Sequence, residues 1–346
     1  MRTCAMDELL DAGPRTLAFL GPEGTFTHQA ACQVVQAIGE AGGPHMELRP
    51  CRDATAIMRA VEEDGSWGVL AWENNVEGYV VPNLDMMIDA ADAAAFLRVG
   101  VEVSFDAYVS ADAYARYGGS ERTAANDARV LAACTTITAH PHGLAQCRGF
   151  AQRHGLHAVA ADSNGAACRD VQGPQVALGP SICGPLYGLV RLASHVEDYP
   201  GARTEFLAIA SRADVRAWCA RFRQAGVPEY ESILTVIPLV TGPGVLANLL
   251  DVMRDAGLNM TSFISRPIKG HDGTYSFIAT LDAAPWEPRF HDALDEIAGH
   301  GDWLRTLATY PRRERPHPPV DEWMLPQGGV RCKEDDEETI RKELLW

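Results

Sequence analysis

No stretch of this 346-residue chain approaches the roughly 18 consecutive apolar residues of a membrane-spanning helix, which argues against a membrane protein. Basic residues are scarce, with 30 Lys and Arg against 46 Asp and Glu and a formal charge of −16. Clustered cations are what draw a protein to nucleic acid or anionic lipid, so neither partner is expected. A small anionic substrate stays open, because it needs only a local positive field. The nine cysteines run from Cys4 to Cys332 without a CxxC pair, and no histidine cluster has metal-ligand spacing. A zinc site and a disulfide framework are therefore not expected, and the thiols read as reduced and cytoplasmic. Met1 to Pro14 carries acidic residues and no apolar core, so it does not read as a signal peptide.

What is present is a 47% hydrophobic chain long enough for two or three packed units. Thr16 to Leu20 is a short apolar run, Gly21-Pro22-Glu23-Gly24 a turn, and Thr25 to Ala31 the opening of a helix. Further strand-like runs lie at Trp67 to Trp72, Phe96 to Tyr108, Thr135 to Ala139 and Gln175 to Leu178, separated by Ala-rich helical stretches. That alternation predicts an α/β region of helices flanking a sheet. After Pro228 the pattern changes. Ser232 to Leu239 reads as a strand, and Val245 to Ala256 as an amphipathic helix closed by Gly257. Two strands joined by Lys269 to Gly273, a helix near Arg289 to Ala298 and a strand near Trp303 to Ala308 complete a βαββαβ order, which is ferredoxin-like. The prolines 311, 316, 318 and 319 read as an extended linker. Beyond it, Glu334 to Glu338 ahead of Arg341 and Lys342 has the charge order of a short helix.

A glycine turn that opens a helix suits a carboxylate, because backbone N–H groups and the helix dipole face the anion. Gly21-Pro22-Glu23-Gly24-Thr25-Phe26 has that form. It also matches, residue for residue, the opening motif of prephenate dehydratases. Glu73-Asn74-Asn75-Val76-Glu77-Gly78 resembles that family's Glu-Asn-Ser-x-x-Gly with Asn75 for serine, and Thr204-Glu205-Phe206 resembles its Thr-Arg-Phe with the central charge reversed. His140 to Cys147 and Ser163 to Ala167 are also similar to family segments. The order of these five segments makes the resemblance specific over Thr16 to Ala210. It implies a two-lobed fold like periplasmic binding proteins over residues 15–211, with no metal and no cofactor.

The resemblance implies prephenate as the substrate, with Thr25, Asn74, Ser163 and Phe206 binding it and Thr204 assisting loss of the ring hydroxyl. Glu205 sets two outcomes against each other. A family arginine at that position would meet a substrate carboxylate through paired hydrogen bonds. An ionised Glu205 would repel it, whereas a protonated one would be a ring proton donor. The leading expectation is therefore a prephenate decarboxylase, similar to those of antibiotic pathways, which loses CO2 but keeps the hydroxyl. The alternatives are a prephenate dehydratase forming phenylpyruvate for phenylalanine biosynthesis and a non-catalytic amino-acid-binding regulator. Ala71-Trp72, Tyr79 and Asn83 also depart from the family pattern and point to a modified pocket.

Residues 230–310 resemble an ACT regulatory domain. Ile264-Ser265-Arg266-Pro267 stands at the family's Glu-Ser-Arg-Pro and Gly242 to Leu246 at its glycine loop. The resemblance implies an amino-acid effector near Gly244, Leu246, Ser265 and Arg266, and a homo-oligomer, dimer or tetramer. Residues 311–346 are left as linker and charged tail.

Overall fold

The computed structural model describes residues 14–271, 273–312, 320–331 and 335–345. Cys4, Cys332, most of the expected N-terminal segment and Pro316, Pro318 and Pro319 lie outside them.

β1 (Arg15–Leu20) runs parallel to β2 (Met46–Cys51) on one side and to β3 (Trp67–Asn74) on the other. The crossovers are the helices Phe26–Glu40 and Ala54–Asp64. Each starts at a polar cap: the Thr25 hydroxyl accepts from His28 N–H and the Asp53 carboxylate from Ala56 N–H, satisfying first-turn donors. β4 (Gly78–Tyr79) folds back on β3, the helix Val81–Asp89 follows, and β5 (Ala94–Glu102) continues the sheet.

The chain then crosses to a second sheet of β6 (Asp106–Val109), β7 (Thr136–Ala139), β8 (His157–Ala160), β9 (Gln175–Gly179) and β10 (Val190–Ala193), ordered β10-β6-β9-β7-β8. It returns through β11 (Arg203–Ala210), antiparallel between β5 and β3. The outward and return crossings lie side by side, with Val103 N–H donating to Ala202 O at 2.7 Å. The run Phe96 to Tyr108, expected as one strand, is thus two strands in two sheets. Both halves are buried, so the apolar pattern runs through the crossing without a break.

β12 (Tyr230–Ile237), β13 (Met260–Pro267), β14 (Tyr275–Leu281) and β15 (Trp303–Pro311) form the ferredoxin-like order β13-β14-β12-β15, with the helices Val245–Asp255 and Pro288–Gly299 as crossovers. β15 also meets β5 in parallel at Ala308 and Ala95. The first sheet and the ferredoxin-like strands are therefore one ten-stranded sheet, and the described residues up to Pro311 form one compact unit. Arg266 forks onto Asp85 at 3.1 and 3.0 Å, tying β13 to the helix Val81–Asp89. The unit after Arg312 has its own turn at Glu322–Met324 and a helix Glu337–Leu344, capped by Asp336 with Arg341 paired to Glu337. No helix among the described residues is long and apolar enough to cross a membrane.

The helix Arg212–Gln224 is pinned to the sheet by its only acid. Asp214 is 5% exposed, and one of its oxygens accepts from Arg15 Nη1 at 2.6 Å and from Trp67 Nε1 at 2.8 Å. Behind it Trp218 stacks on Phe96, and Trp67 meets both rings edge-on. Removing one partner of a buried charge pair strands the other, so Asp214→Ala should cost roughly 3–5 kcal/mol in urea unfolding. Asp214→Asn, which keeps an acceptor for Trp67, should lose less. Equal stability of Asp214→Ala and the parent would show that the pair does not anchor this helix.

Candidate functional site

Three of the sequence motifs reach the same end of the first sheet. Gly21 to Thr25 follow the C-terminal end of β1, Asn74 ends β3, and Thr204 is the second residue of β11, which runs antiparallel to β3 with Thr204 opposite Asn74. Such strand ends, next to a crossing between lobes, are where α/β sheets bind ligands. From the second lobe, the helix Asn164–Asp170 brings its N-terminus against the glycine turn. A Cβ on Gly165 would fall 2.2 Å from Glu23 O, so only glycine allows this approach. The Tyr187 hydroxyl donates to Glu23 O at 2.8 Å, and Phe26 meets Phe105 edge-on across the same junction.

Asn74 and Thr204 are directly bonded. The Asn74 carbonyl accepts from Val76 N–H at 2.8 Å and Glu77 N–H at 3.0 Å, which orients the amide and aims its Nδ2–H at Thr204 Oγ1, 3.0 Å away. Thr204 Oγ1 is thereby an acceptor on one side, and its own proton is left to be donated elsewhere. Asn75 braces the turn: its amide donates to Gly201 O and accepts from Arg203 N–H at 2.7 Å.

Thr25 and Ser163 both serve as helix caps. Thr25 Oγ1 accepts from His28 N–H and donates to Pro22 O at 3.0 Å, while Ser163 Oγ accepts from Ala166 N–H at 2.9 Å. Two helix N-termini thus converge near Gly24, each the positive end of a dipole. His28 is buried, stacks on Phe19 and accepts from Gly24 N–H at 3.1 Å. Burial lowers its pKa, against a smaller opposing pull from Glu23. His140 caps the helix Pro141–Gln146, and its N–H donates to Asn164 Oδ1. Phe206 is 2% exposed within the core behind Thr204, a supporting position and not a lining one.

The pleat of β11 separates Glu205 from Thr204. Residues 206, 208 and 210 pack into the core on one face, and 207 and 209 into the core on the other. Glu205 belongs with the second set, facing the ferredoxin-like strands. Its two oxygens pair with Arg98 Nε at 3.0 Å and Arg203 Nε at 2.7 Å. Arg98 continues to Glu231 of β12 at 3.3 Å. Burial works against the Arg98 cation, yet Tyr310, Glu205 and Glu231 together raise its pKa. Room for Arg203 comes from Gly100, where a Cβ would lie 2.2 Å from the guanidinium. The expectation that Glu205 stands beside Thr204 as a proton donor is therefore corrected: its carboxylate is ion-paired on the other side of the sheet.

The other departures from the family pattern accompany it. Trp72 is the extra residue of a β-bulge in β3, buried against Tyr79, whose hydroxyl meets Ser262 Oγ of β13 at 2.5 Å. Trp72 and Tyr79 pack in the same core as Ile233, Ile264 and Tyr310. Asn83 donates to Ala71 O at 2.7 Å. Sequence reading missed Arg98, Arg203 and Gly100. An arginine and a glycine inside the apolar strand Ala94–Glu102 were the available signal.

A family model for prephenate dehydratase matches residues 17–214. The chain belongs to the prephenate dehydratase family. The prephenate dehydratase of Mycolicibacterium vanbaalenii is 30% identical over 322 residues, covering 88% of this chain and 95% of that protein. That of Corynebacterium glutamicum is 29% identical over 302 residues, covering 84% and 88%. The crystal structure of the Arthrobacter aurescens prephenate dehydratase in complex with L-Phe superposes with a TM-score of 0.64 at 25% identity, covering 89% of this chain and 94% of that one. The prephenate dehydratase family model ends before β12, so the ferredoxin-like strands lie outside it.

Restoring the prephenate dehydratase signature by Glu205→Arg should fail. It would crowd three guanidinium groups over Gly100, and a lowered thermal midpoint with no gain in turnover is the expected result. A more stable or more active variant would show that the ion pairs do not define this position. His28 gives a pH dependence of known sign. Its folded pKa lies below the unfolded value, so protonation favours the unfolded chain. Its contribution is full above the unfolded pKa of about 6.5 and is lost as pH falls below it. His28→Asn, which keeps an acceptor for Gly24 N–H, should flatten the fall in thermal midpoint below about pH 6.5.

Proposed function

We propose that the chain is a prephenate dehydratase, converting prephenate to phenylpyruvate, CO2 and water. The observation that carries the reading is the Asn74–Thr204 hydrogen bond, which leaves the Thr204 proton available while Glu205 is held on the opposite face. In this reaction the bond from the ring to its carboxylate breaks, and its electron pair enters the diene. The ring C–O bond breaks with its electrons on oxygen, which must take up a proton to leave as water. Thr204 O–H donates to that oxygen, the Asn74 N–H stabilises charge building on Thr204 Oγ1, and a proton from solvent restores the hydroxyl. The two helix N-termini at Phe26 and Asn164 supply the positive field for the substrate's carboxylates. A decarboxylase that keeps the hydroxyl needs an acid on the Thr204 face, and Glu205 is not on it.

The regulatory part of the reading rests on the L-Phe complex of the Arthrobacter protein. We take the ferredoxin-like strands as an ACT-type unit that responds to an aromatic amino acid and joins subunits into a homo-oligomer. Ser265 is exposed, Gly244 opens its helix with φ 91°, and Leu246 is half-buried. Arg266 is already engaged with Asp85, so an effector drawing on this arginine would compete with the bond to the catalytic region.

Purified protein incubated with prephenate should yield phenylpyruvate, read from its ultraviolet absorbance after addition of base. Thr204→Ala should lower kcat by on the order of 10²–10⁴, the usual range for general-acid assistance. Glu205→Gln should be less stable yet form the same product. A non-aromatic keto acid from the parent protein would overturn the dehydratase reading.

A further inference from the structure

The seam between β5 and β15 is a single bridging residue pair, and the helices on that side do not close over it. The helix Arg212–Gln224 covers the catalytic part of the sheet and the helix Pro288–Gly299 the ferredoxin-like part. Between them remains a cavity of about 930 Å³. Its floor is made of small residues, among them Ala94 and Ala308 from the two seam strands. Trp286 forms a wall. Burial pushes the Cys219 thiol up to about 12, so at neutral pH it lines the cavity as an apolar group.

The rim has the opposite sign to the chain as a whole. Arg212, Arg216 and Arg223 recur at intervals of four and seven on one helix face, and all three line the cavity. Among the described residues none of the three has a carboxylate in ion-pair range. Asp214, the only acid of that helix, is turned inward to Arg15 and Trp67. Arg223 lies over the Trp286 ring at 5.1 Å, and Arg212 donates to Thr306 O at 2.7 Å. Burial lowers the Arg212 pKa and Arg305 lowers it further, against a smaller opposing pull from Asp92, which accepts from the Arg212 backbone N–H at 3.3 Å. His291 on the rim is paired with Asp295. Next to Trp286 at 4.8 Å, Tyr230 has a buried hydroxyl with no hydrogen-bond partner.

We propose that this cavity binds a small aromatic carboxylate, its ring on the alanine floor against Trp286 and its carboxylate forked by Arg216 and Arg223. Guanidinium groups match carboxylates in pairs, and a cavity within roughly 300–1,000 Å³ suits a compact organic ligand. The apolar floor favours a ring over a phosphate. The site is separate from Thr204 and from the Ser265 segment, and it does not depend on the dehydratase reading.

Calorimetric titration of the full chain with 3-phenylpropanoate tests it, since that probe has neither the ring hydroxyl of prephenate nor an amino group. One saturable site is expected. It should weaken at least tenfold in the Arg216→Ala, Arg223→Ala double variant and in Ala220→Trp, which fills the cavity. Thr204→Ala and Ser265→Ala should bind as the parent does, and 3-phenylpropylamine should give no saturable heat. Absence of saturable binding to the parent would overturn the proposal. So would binding that survives both cavity variants, binding lost in Thr204→Ala or Ser265→Ala, or full displacement by equimolar inorganic phosphate.

Discussion

The two-residue period of β11 is the constraint on which the reading of this molecule turns. A strand sends successive side chains to opposite faces, so Thr204 and Glu205 cannot act on the same ligand unless the strand bulges between them. The bulge here lies in β3 at Trp72, and β11 keeps its alternation. One face then carries the Asn74–Thr204 pair and the other an ion-paired glutamate. The reversed charge that stands out in the linear sequence is, in three dimensions, bonded through Arg98 to Glu231 where two parts of the chain are joined.

That joining explains the company Glu205 keeps. Trp72 and Tyr79, like Glu205, depart from the family pattern and face β12, β13 and β15. A continuous sheet across β5 and β15 needs a partner surface on the catalytic side that is apolar at its centre. Any charge retained there must be neutralised, since an unpaired buried ion is costly. Arg98 meets this need by bridging Glu205 and Glu231, one from each side of the seam. Trp72, Tyr79 and Glu205 are mutually consistent as an interface, and among the described residues none of their side chains is hydrogen-bonded to Asn74 or Thr204.

Much of the architecture was legible in the sequence because it follows from local patterns. The glycine turn into a capped helix, the βαββαβ order and the helix Val245–Asp255 all come from short-range periodicity and capping, and the observed boundaries differ by only a few residues. The lobe crossing inside Phe96 to Tyr108 was not legible, because burial on both sides of the break hides it. The β5–β15 seam was not legible either, since it joins residues over two hundred positions apart through one bridge. At the site, motif order brought Thr25, Asn74, Ser163 and Thr204 to one region, but the side-chain faces depended on strand register. Glu205 lies on the other face for that reason, whereas Phe206 shares the face of Thr204 and is buried in the core.

The same register leaves the Thr204 hydroxyl bonded to an amide and not to a titratable side chain. The Thr204 hydroxyl accepts from the Asn74 amide, and that amide is oriented by two backbone N–H groups. None of these changes charge near neutral pH. His28, the nearest buried base to the glycine turn, is committed as an acceptor to Gly24 N–H. Under the proposed dehydratase chemistry, proton donation would draw on geometry held by the Asn74 turn and not on a tuned carboxylic acid. That proposed chemistry requires no glutamate on the Thr204 face, and Glu205 sits behind the strand with both carboxylate oxygens paired to Arg98 and Arg203.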